Sequence, residues 1–360
     1  MGLSNRIAAE LGQFATEPDA RNVEFATEPL LSYRDVCREL MTLRRILREK
    51  IQEYGDYTLI PGGTLSLADK GAFVRSDPNN PYYGWIENAY GTRVVTASTH
   101  LNIGVSDPEE LLRTWRVIRA EAHLFLGVTA SSPFLNGQIT GDHSTRWSRF
   151  PKTPEHVPLF KDHASYTGWI EQQLATGKMQ NIRHIWLSCR PNGPAAPHEL
   201  DRLELRICDR IADPGLLLAV TAMLEARVLS VLNDSSLDPL RFAEEDEILA
   251  VAEANEEVAS RASLEAVVRP WRGGPERGLD HAVSELLEEI RPVMKQFDFD
   301  VCSGAVEDVL SQGNVAQQWL AQCKKGHSIQ EVIIQAIIDA EDREKQFLAK
   351  CCGDEIVNEP

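Results

Sequence analysis

The sequence predicts an α+β fold with a helical C-terminal segment. Three observations predict it. Strand-type alternation is confined to the first two thirds of the chain, most clearly in residues 99–105 and 202–209. From Pro239 onward the pattern is almost all helical, with breaks near Gly273-Gly274, residues 297–304, Gly313 and Gly326-His327. Strands come first and helices last, rather than alternating as in βαβ folds. The expected organisation is an α+β domain over residues 1–235, with a helical segment over residues 236–360 packed on the same domain.

The elements follow in order. Residues 4–14 read as a helix that Ser4 can cap, with Ile7, Leu11 and Phe14 on one face. Residues 22–28 read as a strand, Val23 and Phe25 alternating with Asn22 and Glu24. Residues 35–54 form a long amphipathic helix, capped by Ser32 or Asp35 and ended by Gly55-Asp56, and residues 57–60 a short strand. Residues 61–83 hold Gly62-Gly63 and Asp77-Pro78-Asn79-Asn80-Pro81 and read as loop. A loop of that length in a compact domain is functional or mobile. Residues 93–105 read as one or two strands, and Pro108 opens a helix that runs to about Gly127. Residues 131–161 are irregular, residues 166–176 helical, and residues 183–189 and 202–209 two strands around a Pro/Gly-rich connection. Residues 214–232 are apolar nearly all round, which predicts a buried helix.

Composition excludes several classes. The 360 residues are 25% charged and 43% apolar, which is neither collagen-like nor disordered. The 37 basic and 54 acidic side chains give a net charge of −17, and no Lys/Arg run marks a local exception, so nucleic-acid and anionic-membrane binding are not expected. The longest uninterrupted apolar run lies in residues 216–224 and contains a Thr, short of the ~20 residues a span needs. The seven cysteines fit neither a zinc site nor a disulfide framework. No charged stretch precedes an apolar one at the start, so reducing cytosol is the expected compartment, with Cys37, Cys189, Cys208 and Cys302 as small core fillers.

Three strands carry unusual residues. Period two puts His100, Asn102 and Gly104 on one face and Leu101, Ile103 and Val105 on the other. The same alternation presents Glu204 together with Arg206, and Glu24 from residues 22–25. Each strand alone also reads as the wet face of an antiparallel sheet, and Glu204 with Arg206 as a same-face ion pair. Together, carboxylates, an imidazole and an arginine suit a hard cation and phosphate. The chain has no G-x-x-x-x-G-K-[ST] loop and no G-x-G-x-x-G, so a nucleotide would be held by metal ions and arginines.

Residues 90–93 (Tyr-Gly-Thr-Arg), the strand 99–105, Ala130-Ser131-Ser132-Pro133-Phe134, residues 140–151 and residues 202–209 resemble the glutamate–cysteine ligases. Residues 57–67, 75–81 and 313–348 look like the cyanobacterial-type branch, whose family also holds other carboxylate–amine ligases. The resemblance implies a curved antiparallel catalytic sheet of glutamine-synthetase type flanked by helices. It implies an ATP- and Mg²⁺-dependent reaction in which the γ-carboxylate of glutamate is phosphorylated and the cysteine amine displaces phosphate, the first step of glutathione synthesis. On this resemblance Glu24, His100 and Glu204 match Mg²⁺ ligands, Arg206 matches the phosphate-binding arginine, and His100, Asn102 and Arg206 face the nucleotide. Arg146 is the expected partner of a substrate carboxylate, with Arg93 and Arg149 as further candidates. Family members usually open with a Gly-x-Glu-x-Glu strand, whereas here Met1 stands directly before the first helix. The expectation is therefore a late start or an incomplete site. A ligase with another amine acceptor and a shortened non-catalytic chain stay open as alternatives.

Overall fold

Pro108 in the first helical turn, with the Asp107 side chain accepting from the amides of Glu109 and Glu110 at 2.9 Å, starts the helix around which the chain is built. The structure, a computed structural model, describes residues 2–67, 73–90, 97–299 and 303–352. Helix α4 (Pro108–Thr129) is buried along almost its whole length. It packs against α7 (Pro214–Asn233), α8 (Glu245–Ala262), α9 (Leu279–Gln296) and one face of a small sheet. A single apolar cluster runs through all of these, from Leu101 to Val306. Helix α7, apolar all round, is the one described helix long and apolar enough to cross a membrane, and 67% of that stretch is buried inside the protein.

A charge inside such a core needs a partner. Arg227 on α7 donates to both oxygens of Glu121 on α4, at 2.8 and 2.6 Å, and to Glu289 on α9 at 2.8 Å. Trp271 Nε1 also donates to Glu121, at 3.0 Å. Arg227→Met would leave the Glu121 carboxylate buried beside that indole alone. The expected result is a loss of about 3–5 kcal/mol in urea unfolding at an unchanged m-value. A change no larger than that of an ordinary surface substitution would contradict it.

The sheets are short. Strands β3 (Leu101–Gly104), β7 (Arg202–Leu205) and β6 (Cys189–Asn192) pair antiparallel in the order β3-β7-β6. Hairpin β1–β2 pairs Ala15 with Glu24 and Thr16 with Val23. Two further two-stranded pairs are β4–β5 (Phe134–Leu135 with Gln138–Ile139) and β8–β9 (Val267–Val268 with Arg277–Gly278). The expected single curved sheet is thus replaced, among the described residues, by four separate antiparallel pieces. The remaining helices are α1 (Ser4–Glu10), α2 (Tyr33–Gln52), α3 (Pro81–Tyr90), α5 (Thr145–Ser148), α6 (His163–Ala175), α10 (Gly304–Gln312), α11 (Val315–Lys324) and α12 (Ile329–Cys352).

Local expectations diverge where tertiary contacts take over. Ser4 does not cap α1; it is the first helical residue, buried, with its amide donating to Ala20 O at 3.0 Å. Ser32 does cap α2, accepting from Asp35 N at 3.1 Å. No strand forms at residues 57–60; the Ile60 carbonyl instead accepts from Arg210 Nη1 at 2.6 Å. The loop expected through Tyr83 ends earlier, because Pro81 starts α3. The strand expected at residues 183–189 is a 3₁₀ turn, Ile182–His184, capped by Asn181, and the strand itself begins at Cys189.

Candidate active site

The three-stranded sheet has one dry face and one polar face. Leu101, Leu203, Leu205 and Cys189 are buried toward α4, where Trp115 Nε1 donates to Cys189 O at 3.0 Å. Register sets the other face. Asn102 and Arg190 both stand opposite Glu204, so the three side chains share one side of the sheet.

Glu204 is the hub. It is 5% exposed, accepts from Arg190 Nε at 2.7 Å and Asn192 Nδ2 at 2.8 Å, and pairs with Arg206 Nη1 through its other oxygen. His100 Nδ1 lies 3.4 Å from that same oxygen. Burial alone would raise the Glu204 carboxyl; Arg206 and Arg190 overcome it and hold the group well below the usual carboxylate range. His100 is pushed down from its ordinary value by lost solvation first and then by Arg206, so the ring is neutral near pH 7. Its Nε2 lies 3.0 Å from Ser98 Oγ. Arg206 is lowered to about 10 by burial and by Arg190, and its Nε is buried with no hydrogen-bond partner.

A β-bulge aims Arg206. The amides of Arg206 and Ile207 both donate to Ser188 O, at 2.7 and 3.0 Å. Leu101 pairs with Leu205 but Ser98 with Asp209, so β7 carries one residue more than β3 between these pairs. The extra residue leaves Cys208 in the core and brings Asp209, not Cys208, opposite Ser98. Asp209 then pins the irregular segment, accepting from Ser131 N, Ser132 Oγ and Ser144 Oγ at 2.9, 2.7 and 2.8 Å.

Arg146 holds the same bulge from the other side. It is 2% exposed and donates to Arg206 O at 2.8 Å and Ile207 O at 2.9 Å, with Asp209 Oδ1 3.7 Å away. The expectation that Arg146 meets a substrate carboxylate is therefore revised. Its two terminal nitrogens are committed to backbone carbonyls and support the strand that carries Arg206, while its Nε, like that of Arg206, is buried without a hydrogen-bond partner. Arg149 is exposed just beyond α5, and Arg93 lies outside the described residues.

The expected metal ligands are not gathered as a set of three. Glu204 is occupied by two arginines and an amide, and Glu24 is on the β1–β2 hairpin. Among the described residues, the three His/Cys/Asp/Glu side chains whose ligand atoms lie within 4.8 Å of one another are His156, Glu245 and Asp246, elsewhere on the surface. Glu24 does have a carboxyl partner that sequence reasoning missed. Glu17 hydrogen-bonds to it and is pushed up to about 8, by burial first and then by Glu24, against Arg206 and Arg183. The hairpin thus brings a carboxyl pair toward the sheet's arginines. Tyr83 on α3 ties it in place, donating from its hydroxyl to Thr16 O at 3.1 Å. Beside it Tyr82 contacts His184, which stacks on Trp85 at 4.3 Å.

The Glu17 shift makes a pH prediction for the metal-free protein. A raised carboxyl contributes stability that is full below the ordinary 4.5 and is lost as pH rises through about 8. Glu17→Gln removes that dependence, so wild type and variant should diverge in Tm between pH 5 and 9, with the variant the less sensitive of the two. Parallel Tm–pH curves would show that the Glu17 carboxyl is not raised.

Comparison with known proteins gives a consistent family. The model for glutamate-cysteine ligase family 2 matches residues 1–339. A protein of Rubrobacter xylanophilus provisionally named glutamate–cysteine ligase 2-1 is 28% identical over 273 residues, which cover 72% of this chain and 69% of that protein. One of Saccharopolyspora erythraea, named in the same way, is 24% identical over 342 residues, covering 93% of this chain and 87% of that one. Among solved structures, the glutamate–cysteine ligase of Francisella tularensis in complex with AMP superposes with a TM-score of 0.74 at 14% identity, over 100% of this chain and 89% of that chain. A bifunctional glutathione synthetase of Pasteurella multocida gives 0.67 at 14% identity, over 94% of this chain and 47% of that chain. At such identities the structural likeness establishes the fold.

Proposed function

The chain belongs to glutamate-cysteine ligase family 2, and from that premise we propose that it joins the γ-carboxylate of glutamate to the amine of cysteine at the expense of ATP. The observation that carries the reading is Arg206: a nearly buried guanidinium with an unpartnered Nε, aimed by a bulge clamped on both sides, on a polar sheet face beside Arg190 and His100.

The chemistry follows. A γ-carboxylate oxygen attacks the terminal phosphorus of ATP, ADP leaves, and the amine then attacks the acyl carbon, expelling phosphate as the amine loses its proton. Two anions must approach, so the site must supply positive charge where the transferring oxygens pass. Arg206 and Arg190 supply it, and Glu204 orients both forks from behind. In this reading His100, just before β3, and Asn102 on it would face the nucleotide. The donor set of Glu17 and Glu24 fits Mg²⁺, because a carboxyl pushed up by burial and by its neighbour would be relieved by a cation between the two. A magnesium ion there would neutralise phosphoryl oxygens. With Arg146 buried, Arg183 and Arg149 are the exposed cations for a carboxylate of the substrate.

The test is to incubate the chain with ATP, Mg²⁺, glutamate and cysteine and to follow ADP and γ-glutamylcysteine by mass spectrometry. Formation of both in equal amounts is expected. ADP formed with another amine and not with cysteine would reassign the acceptor, and no ADP with any amine would overturn the reading.

A further inference from the structure

Arg210 follows Asp209 at the end of the β7 segment. Its side chain lines a cleft between the loop at Pro61, the N-terminus of α7 and helices α11 and α12. It makes one hydrogen bond, from Nη1 to Ile60 O at 2.6 Å, and among the described residues no carboxylate pairs with it. The arginines around it are all matched. Arg44 and Arg48 reach Glu344 at 3.1 and 2.9 Å, Arg48 also reaches Glu341 at 3.2 Å, and Arg343 reaches Asp213 at 3.0 Å. Among the described residues no acid contacts Arg210; burial first, then Arg44 and Arg48, lower it to about 9, and Glu344 at longer range offsets only part of that.

A partly buried cation with no acid in direct contact is costly, and the cost is relieved by an anion that reaches it. A guanidinium with one edge engaged keeps the other for the two oxygens of a carboxylate. The far wall of the cleft is apolar: Leu216, Val315, Trp319, Val332 and Ala336. Asp213 and Asp339 also line it and disfavour a doubly charged ligand. None of Glu204, Arg206, Arg190 and His100 lines this cleft, so it is separate from the candidate active site.

We propose that this cleft binds a short-chain carboxylate, its oxygens on the unengaged edge of Arg210 and its alkyl end against Trp319 and Val332. The ligand is a monoanion with an apolar body, and its binding does not depend on the ligation reading.

Calorimetry of the full chain with propionate, against propionamide at matched ionic strength, tests it. Propionate should bind at one site and propionamide should not. Arg210→Gln keeps a donor for Ile60 O and should weaken propionate binding at least tenfold. Ala336→Phe fills the apolar end with Arg210 in place and should weaken it to the same degree, with both variants folded by circular dichroism. The proposal is overturned if propionate does not bind, if propionamide binds equally well, if inorganic phosphate binds in place of propionate, or if both variants keep wild-type affinity.

Discussion

Arg206→Lys should cut ligation by on the order of 10²–10³-fold while the protein stays folded. Lysine keeps the charge next to Glu204, so the cost of an unpaired buried carboxylate is avoided. It cannot keep the planar fork, and it has no equivalent of the buried, unpartnered Nε. The loss should fall on kcat for ADP release and on ATP affinity, since the fork meets phosphoryl oxygens in this reading. The glutamate KM should move far less. Near-normal turnover in Arg206→Lys would remove the residue from the phosphate site and with it the observation that carries the proposed function.

Glu204→Gln should lose both activity and stability. Removing the carboxylate leaves Arg190 and Arg206 facing each other with an amide between them, in a pocket where Glu204 is 5% exposed. Breaking a buried pair from one side costs about 3–5 kcal/mol. A Glu204 that served only as a metal ligand would instead leave the melting temperature nearly unchanged in the metal-free variant, so the two roles separate in one experiment. The pH dependence adds a check. A depressed carboxyl contributes stability above its ordinary 4.5 that is lost only as pH falls through the lowered value. The deficit of Glu204→Gln should therefore be constant from about pH 6 to 8 and shrink only in acid. Equal Tm for variant and wild type at pH 7 would contradict the hub role.

Much of this site was legible in the sequence because a strand has a period of two. His100 with Asn102, and Glu204 with Arg206, share a face on alternation alone, and the register of β3 with β7 puts Asn102 opposite Glu204. The long helices were legible for the same kind of reason: Ser32, Asp107-Pro108 and Asp213-Pro214 each announce a helix start. What was lost depended on contacts between distant residues. Arg190 and Asn192 alternate correctly with Cys189 and Pro191, but a 3₁₀ turn delays their strand beyond the expected start. The bulge at Arg206-Ile207 shifts parity by one and is visible only when Ser188 is placed opposite. Arg146 reads as a site cation in a loop, and only burial turns it inward onto the Arg206 and Ile207 carbonyls. Glu17 stands next to a two-residue strand too short to give any pattern, and its pairing with Glu24 comes from the hairpin fold-back.

The account rests on phosphoryl transfer to the γ-carboxylate of glutamate, and one isotope measurement addresses that directly. Glutamate labelled with ¹⁸O in both γ-carboxylate oxygens is incubated with the chain, ATP, Mg²⁺ and cysteine, and the released phosphate is analysed by mass spectrometry. If a γ-glutamyl phosphate forms and the amine displaces it, the bridging oxygen leaves with phosphorus, and each phosphate carries one ¹⁸O. Phosphate released without label, in step with ADP, would mean that water and not the glutamate carboxylate accepts the phosphoryl group, and would contradict the account.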